Sequence, residues 1–328
     1  MDKRRSMMEL YPTPENREPP NSVCHDVVTS DGIHIRAMSA MPEKARGTVV
    51  FLNGRADFME RYFETLNDLT KRGFAVVSFD WRGQGGSQRL LPNPFRGFVK
   101  SFADYDADLE AVMNQVVLKN CPKPFYGMAH STGGQIMLRA LRKKNWFKRV
   151  VISSPLLGFH FRSWPIWVVR FLNAFTNATS LSWMFLPGFG HQPMLRKDFK
   201  NNPLTSDKKR WNRDMTTLEA HPELGVGGPT FGWLRAAMKS LDELHRWPRK
   251  KGPTCPTMIV MAGSDHVVDN QDTRDFVARA PGFTLTVVND SLHEILMEPD
   301  DIRARYFAAF DTFIETDLSG LHKQSQFP

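Results

Sequence analysis

FYGMAHSTGGQ, Phe125 to Gln135, ends a short apolar run and opens a helical one. Its centre is Ser131. A serine hydroxyl is a weak nucleophile unless it is held exposed beside a base. A sharp turn from strand to helix does this by lifting Oγ out of the sheet. The positions two before and two after the serine then crowd together and must be small. Here they are Ala129 and Gly133. Ala129 stands where the usual pattern has glycine, a difference of one methyl. Gly134 lets the new helix approach the strand, and the helix N-terminus aims N–H groups at the serine. Small-x-Ser-x-Gly is a weak signal alone, because an ordinary serine-glycine turn reads the same. The surrounding chain has to decide.

Working outward, short apolar runs alternate with amphipathic stretches. GTVVFLNG (Gly47–Gly54), FAVVSFD (Phe74–Asp80), PFYGMA before Ser131 and RVVISSP (Arg149–Pro155) read as buried strands. Between them, RYFETLNDLTKRG (Arg61–Gly73) and Ser101–Asn120 have helical spacing, with Phe102, Tyr105, Leu109, Val112, Val116 and Val117 on one face. Continuous β-branched runs separated by helices predict a mostly parallel sheet covered on both faces. VVTSDGIHIRAMSAM, turning at Asp31-Gly32, predicts an antiparallel hairpin at the sheet edge. The rhythm breaks at Gly158 and returns at CPTMIVMAGSD (Cys255–Asp265), followed by a helix, the strand FTLTVVND and a closing helix. The expected division is a flexible arm at 1–22, a core at 23–157 and 245–318, a helical cap inserted at 158–244 and a polar tail at 319–328.

The chain has 328 residues, 41% hydrophobic and 24% charged, a globular composition. Cys24, Cys121 and Cys255 are few, odd in number and scattered, which excludes a disulfide framework or a cysteine zinc site. The N-terminus lacks the apolar core of a secretory signal. The expected location is the cytoplasm, or the inner face of the membrane in peripheral contact. A net charge of +8 gathers in RALRKKNWFKR, KKRWNR and RWPRKK. The plainest reading is solvated helix ends. Attraction to an anionic membrane is the second. No nucleic-acid module accompanies the charge, so no nucleic-acid partner is expected. The oligomeric state stays open.

In a parallel sheet, sites form where strands end. Those ends carry Asn53-Gly54-Arg55, Ser131, an acidic segment with Asp265, Asp269 and Asp272, and His293. The order serine, acid, histidine is that of the α/β-hydrolases. With FLNGRADFMERY, SFDWRGQGGSQR, GMAHSTGGQ, NPLTSD, GGPTFGWL, AGSDHVVDN and SLHEILMEPDDIR, the chain resembles α/β-hydrolases of the serine aminopeptidase S33 (Hydrolase-4) group over about Val27 to Phe313. Within that group it is similar to the bacterial lysophospholipase L2 and monoacylglycerol lipase branches. GGPTFGWL and HEILMEPD point to the lysophospholipase side.

The resemblance implies that Ser131 is the nucleophile, His293 the base and Asp265, selected over Asp269 and Asp272 by the family motif, the acid that orients it. The backbone N–H groups of Arg55 and Thr132 would form the oxyanion hole. Relatives read His-Gly where this chain has Asn53-Gly54, so Asn53 takes over a structural hydrogen bond. His130 is expected to point away as a packing residue. Trp164, Trp167 and Phe171 lie on one apolar face of the insertion and are candidates for contact with an acyl chain; ordinary core packing is the competing reading. DWRGQGGS lacks the endings of a phosphate-binding loop, and no metal or cofactor is expected. The expected reaction is ester cleavage in a single-chain lipid through an acyl-enzyme. Rivals are a monoacylglycerol lipase or broad carboxylesterase, an aminopeptidase using Glu219 or Glu223 to hold an ammonium, and a non-catalytic binding protein.

Overall fold

The computed structural model describes residues 9–159, 181–191, 198–247 and 251–316. Ser22–Val28 (β1) and His34–Ala40 (β2) form the expected antiparallel edge hairpin, with Gly32 at φ +80° in its turn. Thr48–Leu52 (β3), Ala75–Phe79 (β4), Phe125–His130 (β5), Arg149–Ser153 (β6) and Thr257–Ala262 (β7) are buried along their whole length. Phe283–Val288 (β8) closes the far edge, half covered. The strand order is β1-β2-β4-β3-β5-β6-β7-β8. Only β1–β2 and β2–β4 pair antiparallel; the rest are parallel. The unbroken apolar runs are what a sheet covered on both faces requires.

Phe63–Lys71 (α1) follows β3, Phe102–Val112 (α2) follows β4, and Ser131–Ala140 (α3) follows β5 without a break. Ser101 caps α2 with a complete capping box, its side chain accepting from Ala103 N while Asp104 accepts from Ser101 N. Lys208–Ala220 (α4) and Phe231–His245 (α5) lie in the stretch assigned to the insertion. Asn270–Arg279 (α6) precedes β8, and Asp300–Glu315 (α7) closes the chain. Two apolar cores, one on each face of the sheet, hold these layers together.

Trp233, Ala236, Ala237 and Leu244 of α5 join the core that contains α2 and α3, and Gln135 Nε2 donates to Ala237 O at 3.2 Å. The helix α5 is therefore packed into the body. The helix α4 is held by charge: Arg210 and Arg213 both reach Glu64 of α1, and Arg210 also reaches Asp300. The expected loose arm is corrected for residues 9–21. Tyr11 N donates to Glu60 Oε1 at 3.2 Å, Asn16 Nδ2 donates to Glu60 O at 2.7 Å, and Arg36 Nη1 donates to Glu9 O at 3.0 Å. The arm docks because it satisfies polar groups that the core leaves buried.

Candidate active site

The turn at Ser131 has the geometry the sequence predicts. Ser131 adopts φ +51°, a region costly for a residue with a side chain. Gly133 backs directly onto the end of β3. A Cβ there would lie 2.4 Å from Asn53 O and 2.5 Å from Leu52 O, so no other residue fits. Strain at the serine and absence of a side chain two residues later are the two halves of one tight turn.

Ser131 Oγ lies 3.0 Å from His293 Nε2, and His293 Nδ1 lies 2.7 Å from Asp265 Oδ2. The other oxygen of Asp265 accepts from the amides of Val267 at 2.8 Å and Val268 at 3.1 Å. Burial alone would raise the Asp265 pKa, but the charge and hydrogen bond of His293 and these two amides hold it below the ordinary value. Burial alone would lower His293. Asp265, with Glu294 and Asp57 behind it, outweighs burial and raises the histidine above its ordinary value. The competing acids stand elsewhere: Asp269 caps α6 through Gln271 N at 2.7 Å, and Asp272 lies on α6 itself.

The loop after β3 is pinned on both sides of Arg55. Gly54 N donates to Asp57 Oδ2 at 2.8 Å, and Ala56 N donates to Gln84 Oε1 at 3.2 Å. Asn53 Nδ2 donates to Phe79 O at 3.1 Å, and Trp81 Nε1 donates to Asn53 O at 2.9 Å. Asn53 thus ties the ends of β3 and β4 together. Arg55 and Thr132 both line the cavity that contains Ser131.

That cavity holds about 220 Å³. Its walls are mainly apolar, including Leu156, Phe159, Phe189, Leu218, Trp233 and Val268. A larger groove of about 690 Å³ between the N-terminal stretch, α1 and α4 contains none of Ser131, Asp265 and His293. His130 corrects an expectation. Its ring does not point away; it lies against the His293 ring, with centroids 4.9 Å apart. Its Nδ1 is 3.3 Å from Ser153 Oγ, and burial followed by repulsion from His293 pushes its pKa down to about 3. It stays neutral there. Trp164, Trp167 and Phe171 lie outside the described residues. Among the described residues, no group of three or more His, Cys, Asp or Glu side chains is arranged to hold a metal ion.

One feature of the site escaped the sequence reading. Arg61, fully buried, contacts three carboxylates from three parts of the chain. Its Nε donates to Asp214 Oδ2 at 2.8 Å, its Nη2 donates to Glu294 Oε2 at 2.6 Å, and its Nη1 contacts Asp57. Asp57 is also bonded by Tyr62 Oη at 2.8 Å. The loop after β3, the loop carrying His293 and α4 therefore meet at one guanidinium. The only trace in sequence is the pair Asp57 and Arg61, four apart with Phe58, Met59 and Glu60 between them.

A mostly parallel eight-stranded sheet with the serine on a strand-to-helix elbow defines the α/β-hydrolase fold. The chain belongs to the Hydrolase_4 family, serine aminopeptidase S33, which it matches over residues 43–300, and it is a hydrolase. It is 29% identical over 292 residues to lysophospholipase L2 of Escherichia coli (strain K12), covering 84% of this chain and 82% of that one. Among solved structures it is similar to a soluble variant of monoglyceride lipase from Saccharomyces cerevisiae, with a TM-score of 0.70 and 19% identity, covering 94% of this chain and 98% of that one. A thermostable carboxyl esterase from Bacillus coagulans gives a TM-score of 0.67 at 15% identity, over 89% of this chain and 97% of the other. At those identities the structures speak for the fold.

Proposed function

We propose that this chain is a lysophospholipase that cleaves the carboxylic ester of a single-chain lipid through an acyl-enzyme. The observation that carries the reading is the continuous chain Ser131–His293–Asp265, with contacts of 3.0 and 2.7 Å, opening into a largely apolar cavity. Ser131 attacks the ester carbonyl while His293 Nε2 takes the hydroxyl proton. Asp265 holds the Nδ1–H tautomer and stabilises the imidazolium. The amides of Arg55 and Thr132 receive the oxyanion. His293 then gives the proton to the leaving alcohol, and water repeats the sequence on the acyl-enzyme. The part of the stretch 158–244 that precedes α5 serves as the cap over this site, and the aromatic residues Trp164, Trp167 and Phe171 read there from the sequence are the candidate contact for the acyl chain.

The similarity to a lysophospholipase over most of both chains supports the substrate class. The peptidase alternative has less support. Glu219 and Glu223 are exposed and outside the cavity, and the acids inside it, Asp57 and Glu294, are bound to Arg61. The test is product analysis of wild type and Ser131→Ala on matched lysophospholipid, monoacylglycerol and aminoacyl amide. Fatty acid released fastest from lysophospholipid, and lost in the variant, is the expected outcome. Faster release from monoacylglycerol would move the assignment to a monoacylglycerol lipase, and cleavage of the amide alone would move it to a peptidase.

A further inference from the structure

The glycine-rich turn DWRGQGGS after β4 supplies no group to the proposed chemistry, yet one of its side chains reaches the loop that does. Gln84 is buried, with Gly83 at φ +82° before it and Gly85 at φ +53° after it. Its backbone is tied into the turn: Gln84 N donates to Trp81 O at 3.1 Å, and Ser87 N donates to Gln84 O at 3.1 Å. Its side chain leaves the turn and meets the loop after β3 three times. Nε2 donates to Gly54 O at 2.8 Å and to Asp57 O at 3.3 Å, and Oε1 accepts from Ala56 N at 3.2 Å. Both ends of the amide are used, and exchanging its oxygen and nitrogen would set an oxygen against two carbonyls.

Those bonds fix one peptide plane. Gly54 C=O and Arg55 N–H belong to the same planar trans unit and point to opposite edges of it. With Gly54 O turned to Gln84, the Arg55 N–H is turned away from Gln84. Gly54, Arg55 and Ala56 line the cavity that holds Ser131, and Gln84 stands behind them, outside its lining. Gly54 is also close to the serine: a Cβ there would lie 3.3 Å from Ser131 Cβ. Ala56 sits at φ +63°, a conformation costly for a residue with a side chain, so the loop needs holding from outside. We propose that Gln84 is a positioning residue for the oxyanion site. It orients the Gly54–Arg55 peptide so that the Arg55 amide meets the oxygen that becomes negative when Ser131 adds to the ester carbonyl. This rests on the acyl-enzyme reading above and does not depend on the headgroup.

The energetics say which kinetic constant Gln84 controls. A donor aimed in advance at the developing charge stabilises the transition state without reorganising during the reaction. A loop whose Gly54–Arg55 peptide can tilt still accepts substrate in the cavity, but it must pay to align the donor in each turnover. The loss therefore falls on kcat and on the affinity for an oxyanion, and leaves ground-state binding nearly as it was.

The experiment compares wild type, Gln84→Met, Gln84→Asn and Gln135→Met. Gln84→Met keeps the length of the side chain and removes its donors and acceptor; Gln84→Asn keeps the amide one methylene short. Gln135→Met is the control, because it removes a buried amide bond of 3.2 Å between α3 and α5. Thermal midpoints report folding, and a short-chain p-nitrophenyl ester reports kcat and KM. Affinity for an alkyl trifluoromethyl ketone reports the oxyanion site without turnover: Ser131 Oγ bonds its carbonyl carbon, the hydroxyl proton passes to His293, and the carbonyl oxygen becomes the anion. In Gln84→Met, kcat should fall by about 10- to 100-fold with KM within about 3-fold of wild type. Ketone affinity should fall in parallel, and the acid limb of the pH profile should stay in place. Gln84→Asn should lose less than Gln84→Met, and Gln135→Met should lose thermal midpoint with kcat near wild type. Wild-type kcat in folded Gln84→Met, an equal kcat loss in Gln135→Met, or a loss through KM alone with unchanged ketone affinity would each overturn the proposal. If Gln84→Met does not fold, wild-type kcat in Gln84→Asn overturns it. Hydrolysis of the ester by Ser131→Ala at the wild-type rate would instead remove the underlying acyl-enzyme reading, and that result appears before Gln84 is changed.

Discussion

Two buried arginines flank the loop after β3, and their settings differ in purpose. Arg36 on β2 donates from Nε to Asp80 at 2.9 Å and from Nη1 and Nη2 to Glu60 at 2.8 Å each. Asp80 in turn receives the amides of Met59 and Gly86 at 2.8 and 2.7 Å. These partners come from the turn after β4, from the short helix that follows the loop after β3 and, through Glu9 O, from the N-terminal stretch. Arg61, one turn beyond the oxyanion loop, uses the same chemistry, but its carboxylates belong to Asp57, which fixes Gly54, to Glu294, which follows the catalytic candidate His293, and to Asp214 of α4. One cluster locks a turn. The other joins the loop after β3, the loop carrying His293 and α4, the parts the proposed mechanism needs in register.

The contrast can be broken most sharply by removing each cation. Arg36→Met would leave two buried carboxylates facing each other and should destabilise the fold by about 3–5 kcal/mol. Urea unfolding checks this, and a loss below about 1 kcal/mol would mean the cluster is dispensable. Arg61→Met should destabilise by a similar amount, but in addition the protein that remains folded should lose about 100-fold in kcat, since misplacement near the chemistry is costly. Wild-type turnover per folded molecule in Arg61→Met would erase the distinction between the two clusters. Arg61→Lys should recover stability more than activity, because one ammonium cannot address three carboxylates with the geometry of a planar fork.

A smaller effect separates charge from position. As the proposed base, His293 would act only when neutral, and its pKa stands above the ordinary 6.5 because Asp265, then Glu294 and Asp57, outweigh burial. The acid limb of the kcat/KM profile should therefore lie above pH 6.5, with activity falling as pH drops through it. Glu294→Gln removes one of the raising charges and should move that limb to lower pH. An unmoved limb would mean that Glu294 serves Arg61 alone.

The sequence made some of this legible and hid the rest for a physical reason. The strands β3 to β7 announced themselves because both faces of the sheet are covered, which leaves apolar runs such as TVVFL and TMIVMA. That Ser131, Asp265 and His293 would meet was legible because each follows a strand, and strand ends are where a parallel sheet gathers its loops. The Arg61 cluster was not, because Asp57, Asp214 and Glu294 share no local pattern and meet only in the fold. His130 was legible as a packing and hydrogen-bonding residue, but not its contact with the His293 ring, because a turn in sequence does not show what a distant loop places beside it. The docked stretch at residues 9–21 was read as loose because its proline and charge hide how Asn16 and Tyr11 complete the bonding of Glu60.

His130 supplies the smallest effect, and one confined to stability. Its folded pKa of about 3 lies below the ordinary 6.5, with burial the main cause and His293 the second. The unfolded chain binds a proton at this position below about pH 6.5, while the folded chain does not until about pH 3. The stability tied to neutral His130 is therefore complete above pH 6.5 and declines as pH falls, by at most about 1.4 kcal/mol per unit. His130→Gln keeps a polar side chain and removes the titration. Its unfolding free energy should depend less on pH between 6.5 and 5 than that of wild type, even if it is lower at neutral pH. Parallel curves for the two proteins would mean that His130 can take up a proton in the folded state, and that the pair of rings beside Ser131 shares a charge the geometry does not assign to it.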